Sequence, residues 1–333
     1  MRTATELADV AQDILDRHAP GTSLDTRALN KALPGLAKDK AAVVEIEEAV
    51  QRLPTEHQLR LGDARCLDAI EDESVHLIVT SPPYWTLKQY RETKGQLGAI
   101  EDYEEFVAEL QRVWRECHRV LVRGGRLIIV VGDVCLARRR FGHHSVVPLH
   151  ASIQESCRRV GFSNLAPIIW HKIANAALEV EGASSFLGKP YEPNSIIKND
   201  IEYILMERKG GAYRSPQAAA RVLSLISAED HRQWFRQIWN IPGASTRDHP
   251  APFPLELAVR LIRMFSFVGD TVLDPFMGTG TTNVAASLWG RNSVGVEIAP
   301  GYLRMAVRRM RQAHERLFSS AAITVFDDSE ATT

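Results

Sequence analysis

Two short stretches carry the residue types that group-transfer chemistry needs. In Thr80-Ser81-Pro82-Pro83-Tyr84-Trp85, consecutive prolines remove two backbone donors and fix φ, which frees the neighbouring carbonyls to point outward. The Ser81 hydroxyl and the Pro82 carbonyl can together accept both hydrogens of an exocyclic amine, Pro83 stiffens the corner, and the Tyr84 ring offers a flat face to an aromatic base. Held that way, an amine whose lone pair is normally delocalised into a nucleobase becomes a nucleophile, with no metal and no covalent enzyme intermediate. The bland alternative is a proline-rich turn capping a strand. The second stretch, Asp274-Pro275-Phe276-Met277-Gly278-Thr279-Gly280-Thr281-Thr282, supplies glycines for a tight turn and free amides where a helix begins. Beyond it, Glu297 closes Val294-Gly295-Val296 with a carboxylate able to accept two ribose hydroxyls; the bland alternative is a tight turn and a surface acid.

These stretches need strands in front and helices behind, and the hydrophobic pattern provides both. Leu77-Ile78-Val79 reads as a strand, Tyr103 to Leu121 as an amphipathic helix, Gly124-Gly125 as a lead-in, and Leu127 to Val131 as the next strand. That is a βαβ unit of a parallel sheet. Leu165 to Trp170 and Ile201 to Met206 fit a later strand pair around a Gly-, Pro- and Asn-bearing loop. A second block follows: a helix over Leu255 to Phe267, the strand Thr271 to Leu273, the glycine turn, a helix through Leu288 and the strand Ser293 to Val296. The glycine turn suits a nicotinamide dinucleotide as well as an adenosyl-methionine, but the proline corner has no use in an oxidoreductase.

Composition bounds the rest. The 333 residues carry Lys+Arg 40 against Asp+Glu 41, with 45% hydrophobic and 24% charged, which excludes global disorder, collagen-like repeats and coiled coil. No apolar run reaches the roughly 18 residues of a membrane span, and Met1 to Pro20 is unlike a secretory signal, so the expectation is a cytoplasmic protein without a membrane partner. Cys66, Cys117, Cys135 and Cys157 show no paired spacing, which predicts core or half-buried thiols. His143, His144 and His150 lack an accompanying Cys or acid cluster, so no metal is expected. Charge is uneven: Val134 to Asp248 holds 15 basic and 10 acidic side chains, a surplus of five, while the remainder is at −6. A polyanion partner and a solvated face both fit that surplus.

Asp63 in Leu61-Gly62-Asp63, the Ser-Pro-Pro-Tyr-Trp stretch and the Asp-Pro-Phe-x-Gly-x-Gly-Thr-Thr stretch resemble those of the amino-group DNA methyltransferases that act on N4 of cytosine or N6 of adenine with S-adenosylmethionine. Their order, with the catalytic tetrapeptide ahead of the cofactor glycines, is similar to the circularly permuted beta class. The resemblance covers roughly Gln58 to Ala313. It implies an α/β fold: a doubly wound, mostly parallel, Rossmann-like sheet. It also implies that Asp63 lies near the cofactor adenine, that Asp274, Phe276, Gly278, Gly280 and Thr281 line the methionine and adenosine side, and that Glu297 holds the ribose. Ser81, Pro82, Pro83 and Tyr84 then take the target base with Trp85 beside it, and Ser in the first position favours cytosine over adenine. The implied partner is double-stranded DNA from which the base is flipped. A homodimer and a cognate restriction endonuclease are compatible with the resemblance, though nothing in the spacing demands either.

The chain is accordingly expected to divide into a helical extension (1–56), a catalytic half (57–214) with a basic loop at 134–150, a target-recognition insert (215–248), a cofactor-binding half (249–318) and a tail (319–333). Arg138-Arg139-Arg140, with Phe141, His143 and His144, are expected to bind phosphates. Arg232 and Arg236, with Arg221, Trp234 and Trp239, are the candidates for sequence recognition, and the tryptophans fit a core role equally well.

Overall fold

The computed structural model describes residues 4–85, 93–136, 142–143, 145–172, 193, 197, 199–244, 253–317 and 321–328. Three helices come first: α1 (Ala4–His18), α2 (Thr26–Leu36) and α3 (Lys40–Gln51). Asp25 and Asp39 start α2 and α3 by accepting hydrogen bonds from free amides of the first turns. Their apolar faces, with Leu29, Ile46 and Val50 buried, pack on Ala219, Val222, Leu223 and Val268 of the main body. The extension is therefore part of the folded body.

The body is one nine-stranded sheet flanked by helices. In chain order its parts are β1 (Thr55–Leu61), β2 (Val75–Thr80), α4 (Tyr103–Val120), β3 (Leu121–Val131), the small ribbon β4 (Val134–Leu136) and β5 (Ser145–Val147), and α5 (Leu149–Val160). Then come β6 (Phe162–His171), β7 (Ile201–Lys209), α6 (Ala218–Leu223), α7 (Ala228–Trp234) and β8 (Ile238–Asn240). The chain continues with α8 (Leu255–Phe265), β9 (Thr271–Asp274), α9 (Thr281–Leu288), β10 (Asn292–Glu297), α10 (Pro300–Leu317) and β11 (Ala321–Asp327). Across the sheet the order is β11-β1-β10-β9-β2-β3-β7-β6-β8. Among the described strands of this sheet, only β7 runs against the rest. β2, β9, β10 and the second half of β3 are almost wholly buried, with apolar stretches such as Leu77 to Val79 and Leu127 to Val131, as a sheet covered on both faces requires. One core lies under α4 and α5, another under α8 and α9.

Three expectations need correction. Residues 321–327 are not a tail: the β-branched run through Ile323, Thr324 and Val325 pairs in parallel with β1 along its whole length, and the pair is locked by Arg60 to Asp328 at 2.9 Å. Gly124 and Gly125 lie inside β3, which starts at Leu121, and the glycines accommodate a register shift against β2. The segment 215–248 is not a separate insert. It contributes β8, paired in parallel with β6, and both tryptophans are buried, because a strand edge and an apolar helix face were each left to cover.

Candidate active site

The site is built where the strand order turns. β2 and β9 are neighbours, with Leu77 opposite Val272 and Ile78 opposite Leu273, so the chain leaving β2 at Ser81 and the chain leaving β9 at Pro275 emerge from one carboxyl edge. Asp274 ties this junction together. It accepts hydrogen bonds from Thr80 Oγ1 at 2.7 Å, Thr282 Oγ1 at 2.8 Å and the Phe276 amide at 3.0 Å. Burial pushes its carboxyl up to about 6, and the three hydrogen bonds hold it back from a larger rise.

The glycine turn is braced on two sides. Gly280 starts α9 with φ +81°, and a Cβ there would stand 3.0 Å from Ala306 Cβ of α10, so both backbone conformation and space demand glycine. From α10, Arg309 donates to the Thr279 carbonyl at 2.9 Å. Glu297, ending β10, accepts from the Gly278 amide at 2.8 Å and, through its other oxygen, from the Ala299 amide at 2.8 Å. Each oxygen keeps a second lone pair for an incoming hydroxyl. Burial raises the Glu297 carboxyl to about 7 despite those amides, and the nearby Asp274 adds to the rise.

Between the two strand ends opens a cavity of roughly 630 Å³ including its mouth, bordered by Asp63, Ser81, Pro83, Phe276, Gly278 and Glu297. Residues that the sequence did not single out complete it: Gln96 and Leu97 from the turn before α4, and Ile298 and Tyr302 from the start of α10. No spacing signal marks them, since they reach the cavity only through tertiary packing. Phe276 stands edge-on to Trp114 of α4, with ring centroids 6.4 Å apart. Asp63 is held by Arg65, whose guanidinium also bonds to Glu109 and to the Gly95 carbonyl. Among the described residues, the two charged side chains of the lining, Asp63 and Glu297, are both acids.

The remaining candidates fall elsewhere. Asp274, Gly280 and Thr281 support the turn from behind; the Thr281 hydroxyl lies 3.3 Å from Arg309. Pro82 and Tyr84 are buried, and the Tyr84 ring packs against Gly132, so the flat face expected to meet a ligand is turned into the core. Trp85 adopts φ +47°, bonds through Nε1 to the Glu101 carbonyl and packs edge-on to Tyr103. Arg138, Arg139 and Arg140 lie outside the described residues, as do Phe141 and His144. Arg232 and Arg236 are exposed on α7 and on the turn into β8, four strand positions from β2, and do not reach the cavity lining. Glu202 and Lys172, behind Tyr84, carry no sequence signal at all.

Comparison with known proteins matches residues 75–308 to the N6/N4 DNA methylase family. The chain is 39% identical over 276 residues to the type II methyltransferase M.MjaI of Methanocaldococcus jannaschii, covering 74% of this chain and 88% of that one. It is 30% identical over 264 residues to the DNA adenine methyltransferase YhdJ of Escherichia coli, covering 75% and 81%. Among solved structures, TTHA0409 from Thermus thermophilus, determined in complex with S-adenosyl-L-methionine, superposes with a TM-score of 0.67 at 54% identity, over 81% of this chain and 98% of that one. The cytosine-N4-specific PvuII DNA methyltransferase shares the fold, with a TM-score of 0.57 at 17% identity over 83% and 96% of the two chains.

Proposed function

Because the chain belongs to the N6/N4 family of amino-group DNA methylases, we propose that it transfers a methyl group from S-adenosylmethionine to N4 of a cytosine flipped out of double-stranded DNA. One observation carries this reading: Ser81 and Gly278, far apart in sequence, border the same cavity. Bound there, S-adenosylmethionine supplies a methyl group on a positively charged sulfonium. The lining fits such a molecule. Phe276, Leu97, Ile298 and Tyr302 offer apolar walls for an adenosine, Glu297 can accept ribose hydroxyls, and the acidic character of Asp63 and Glu297 suits a cation. A nicotinamide dinucleotide would set two phosphates against those acids with no basic residue among the described residues of the lining, which disfavours the oxidoreductase reading.

The chain's own contribution is positioning and electrostatics. Ser81 Oγ and the Pro82 carbonyl accept the two amino hydrogens, and the amine lone pair forms the new N–C bond as the S–C bonding pair returns to sulfur. The nitrogen then sheds one proton to solvent. A paired base cannot reach the crevice, so flipping is obligatory, at a cost of roughly a few kcal/mol that contacts to phosphates must offset. Arg138 to Arg140 are assigned to those contacts, and Arg232 and Arg236 to more distant DNA.

Cytosine rests on Ser81 in the first position of the tetrapeptide. Adenine N6 is the second reading, favoured by the similarity to YhdJ. Relatives named type II methyltransferases support a role in restriction–modification. Labelled methyl transfer to mixed-sequence double-stranded DNA, followed by nucleoside analysis, decides between the bases. N4-methylcytosine is expected; N6-methyladenine would reassign the target, and an absence of transfer by folded protein would overturn the enzyme reading.

A further inference from the structure

Behind Ser81 a chain of polar groups runs inward from the cavity. Ser81 Oγ donates to Tyr84 Oη at 3.3 Å, and Tyr84 Oη donates to Glu202 Oε2 at 3.0 Å. The second oxygen of Glu202 is paired with Lys172 Nζ. Glu202 sits on the antiparallel strand β7 and is only 8% exposed; Lys172 follows β6, with its ammonium 4.5 Å over the Trp170 ring. A carboxylate is an acceptor only, so it requires the Tyr84 proton. The phenol oxygen, having donated, is left to accept from Ser81, and Ser81 is left with lone pairs alone to face the cavity. Without Glu202, the Tyr84 proton is shared between Ser81 and the Val130 carbonyl, 3.5 Å away, and wherever it turns to Ser81, Ser81 would aim its own proton at the amine.

We propose that Glu202, held in place by Lys172, is a positioning residue that acts through the Tyr84 hydroxyl to set Ser81 as a hydrogen-bond acceptor for the amine of the target base. The proposal rests on the amino-methyltransferase reading above. The same carboxylate, two hydroxyls from the nitrogen, also favours the positive charge that develops there as the methyl arrives.

The test is a mutant cycle on the full chain, read by single-turnover methyl transfer at saturating DNA and cofactor. Glu202→Gln, whose amide can donate to Tyr84 and reverse the chain, is expected to slow transfer roughly 10- to 100-fold, with cofactor and DNA dissociation constants kept within about twofold. In a Tyr84→Phe background the same change should add less than about twofold, because the hydroxyl it works through is gone. Tyrosine labelled with 13C at Cζ gives a readout independent of turnover: the Tyr84 resonance, assigned with Tyr84→Phe, should shift in Glu202→Gln protein without DNA or cofactor. Lys172→Met removes the partner of the second Glu202 oxygen and frees the carboxylate to turn away from Tyr84, and it should slow transfer in the same way if Glu202→Gln fails to fold. An unshifted resonance, unimpaired transfer, or an undiminished loss in the Tyr84→Phe background would overturn the proposal. A wild-type chain that methylates no DNA would instead overturn the reading beneath it.

Discussion

At the scale of single residues, the proposed function gives Ser81 to the base and Glu297 to the cofactor. On that proposal, Ser81→Ala removes an acceptor for the base and leaves the cofactor lining almost intact. Turnover should fall roughly 10- to 100-fold while the dissociation constant for S-adenosylmethionine moves by less than about twofold. Loss of cofactor binding would show the division to be wrong. Glu297 gives a pH dependence with a definite sign. Its carboxyl is raised to about 7, so below that pH a growing fraction carries a proton and loses acceptor capacity for ribose hydroxyls. Cofactor affinity measured by calorimetry should be flat at alkaline pH and weaken toward about tenfold per unit below pH 7, a slope that Glu297→Gln removes. That Ser81, Phe276, Gly278 and Glu297 stand at strand ends bordering a cavity was legible from motif types and the strand–turn–helix pattern, whereas Asp63 was legible only through the family resemblance. Asp274 was legible as a motif residue but its duty was not, since a carboxylate that cradles a ligand and one that brackets two strands look the same in sequence. Glu202 and Lys172 were illegible because their only relation to Tyr84 is across the sheet.

At the scale of elements, the turn between β9 and α9 is the most constrained. Gly280→Ala meets both an unfavourable φ and the Ala306 side chain, and should destabilise the fold by about 1–3 kcal/mol in urea titration, with weaker cofactor binding. An unchanged midpoint would mean that α10 can yield. β7 carries a different tension in Glu207, which is fully buried and pushed up to about 7 by burial, with Gln154 offsetting only part of it. The unfolded chain ionises this acid near 4.5, so its contribution to stability is fully present below that pH and is lost as pH rises through 7. Glu207→Gln should therefore raise stability at alkaline pH by about 1–3 kcal/mol and leave it nearly unchanged in acid. A destabilised variant at high pH would argue that the charge has a partner. The long helices and central strands were legible from periodicity, since α4, α8, β2, β9 and β10 are uniformly patterned. β8 and β11 were not: they are short or half-exposed edge strands, specified by the neighbour they complete more than by their own pattern.

At the scale of the whole molecule, sequence alone supplied the parallel α/β class and the meeting of two distant motifs, and it underestimated how much of the chain belongs to one body. The N-terminal helices cover Val222, Leu223 and Val268, so a chain starting at Pro54 would expose that surface. It should melt at a lower temperature and self-associate in sedimentation; an unchanged melting temperature would show the helices to be dispensable. The junction of β2 with β9 has a consequence for the timing of synthesis. A chain emerging from the ribosome carries the half that would grip the base long before it carries the half that would hold the methyl donor. The chain is thus chemically mute until β9 and β10, which join β1 to β2 in the finished sheet, have been made.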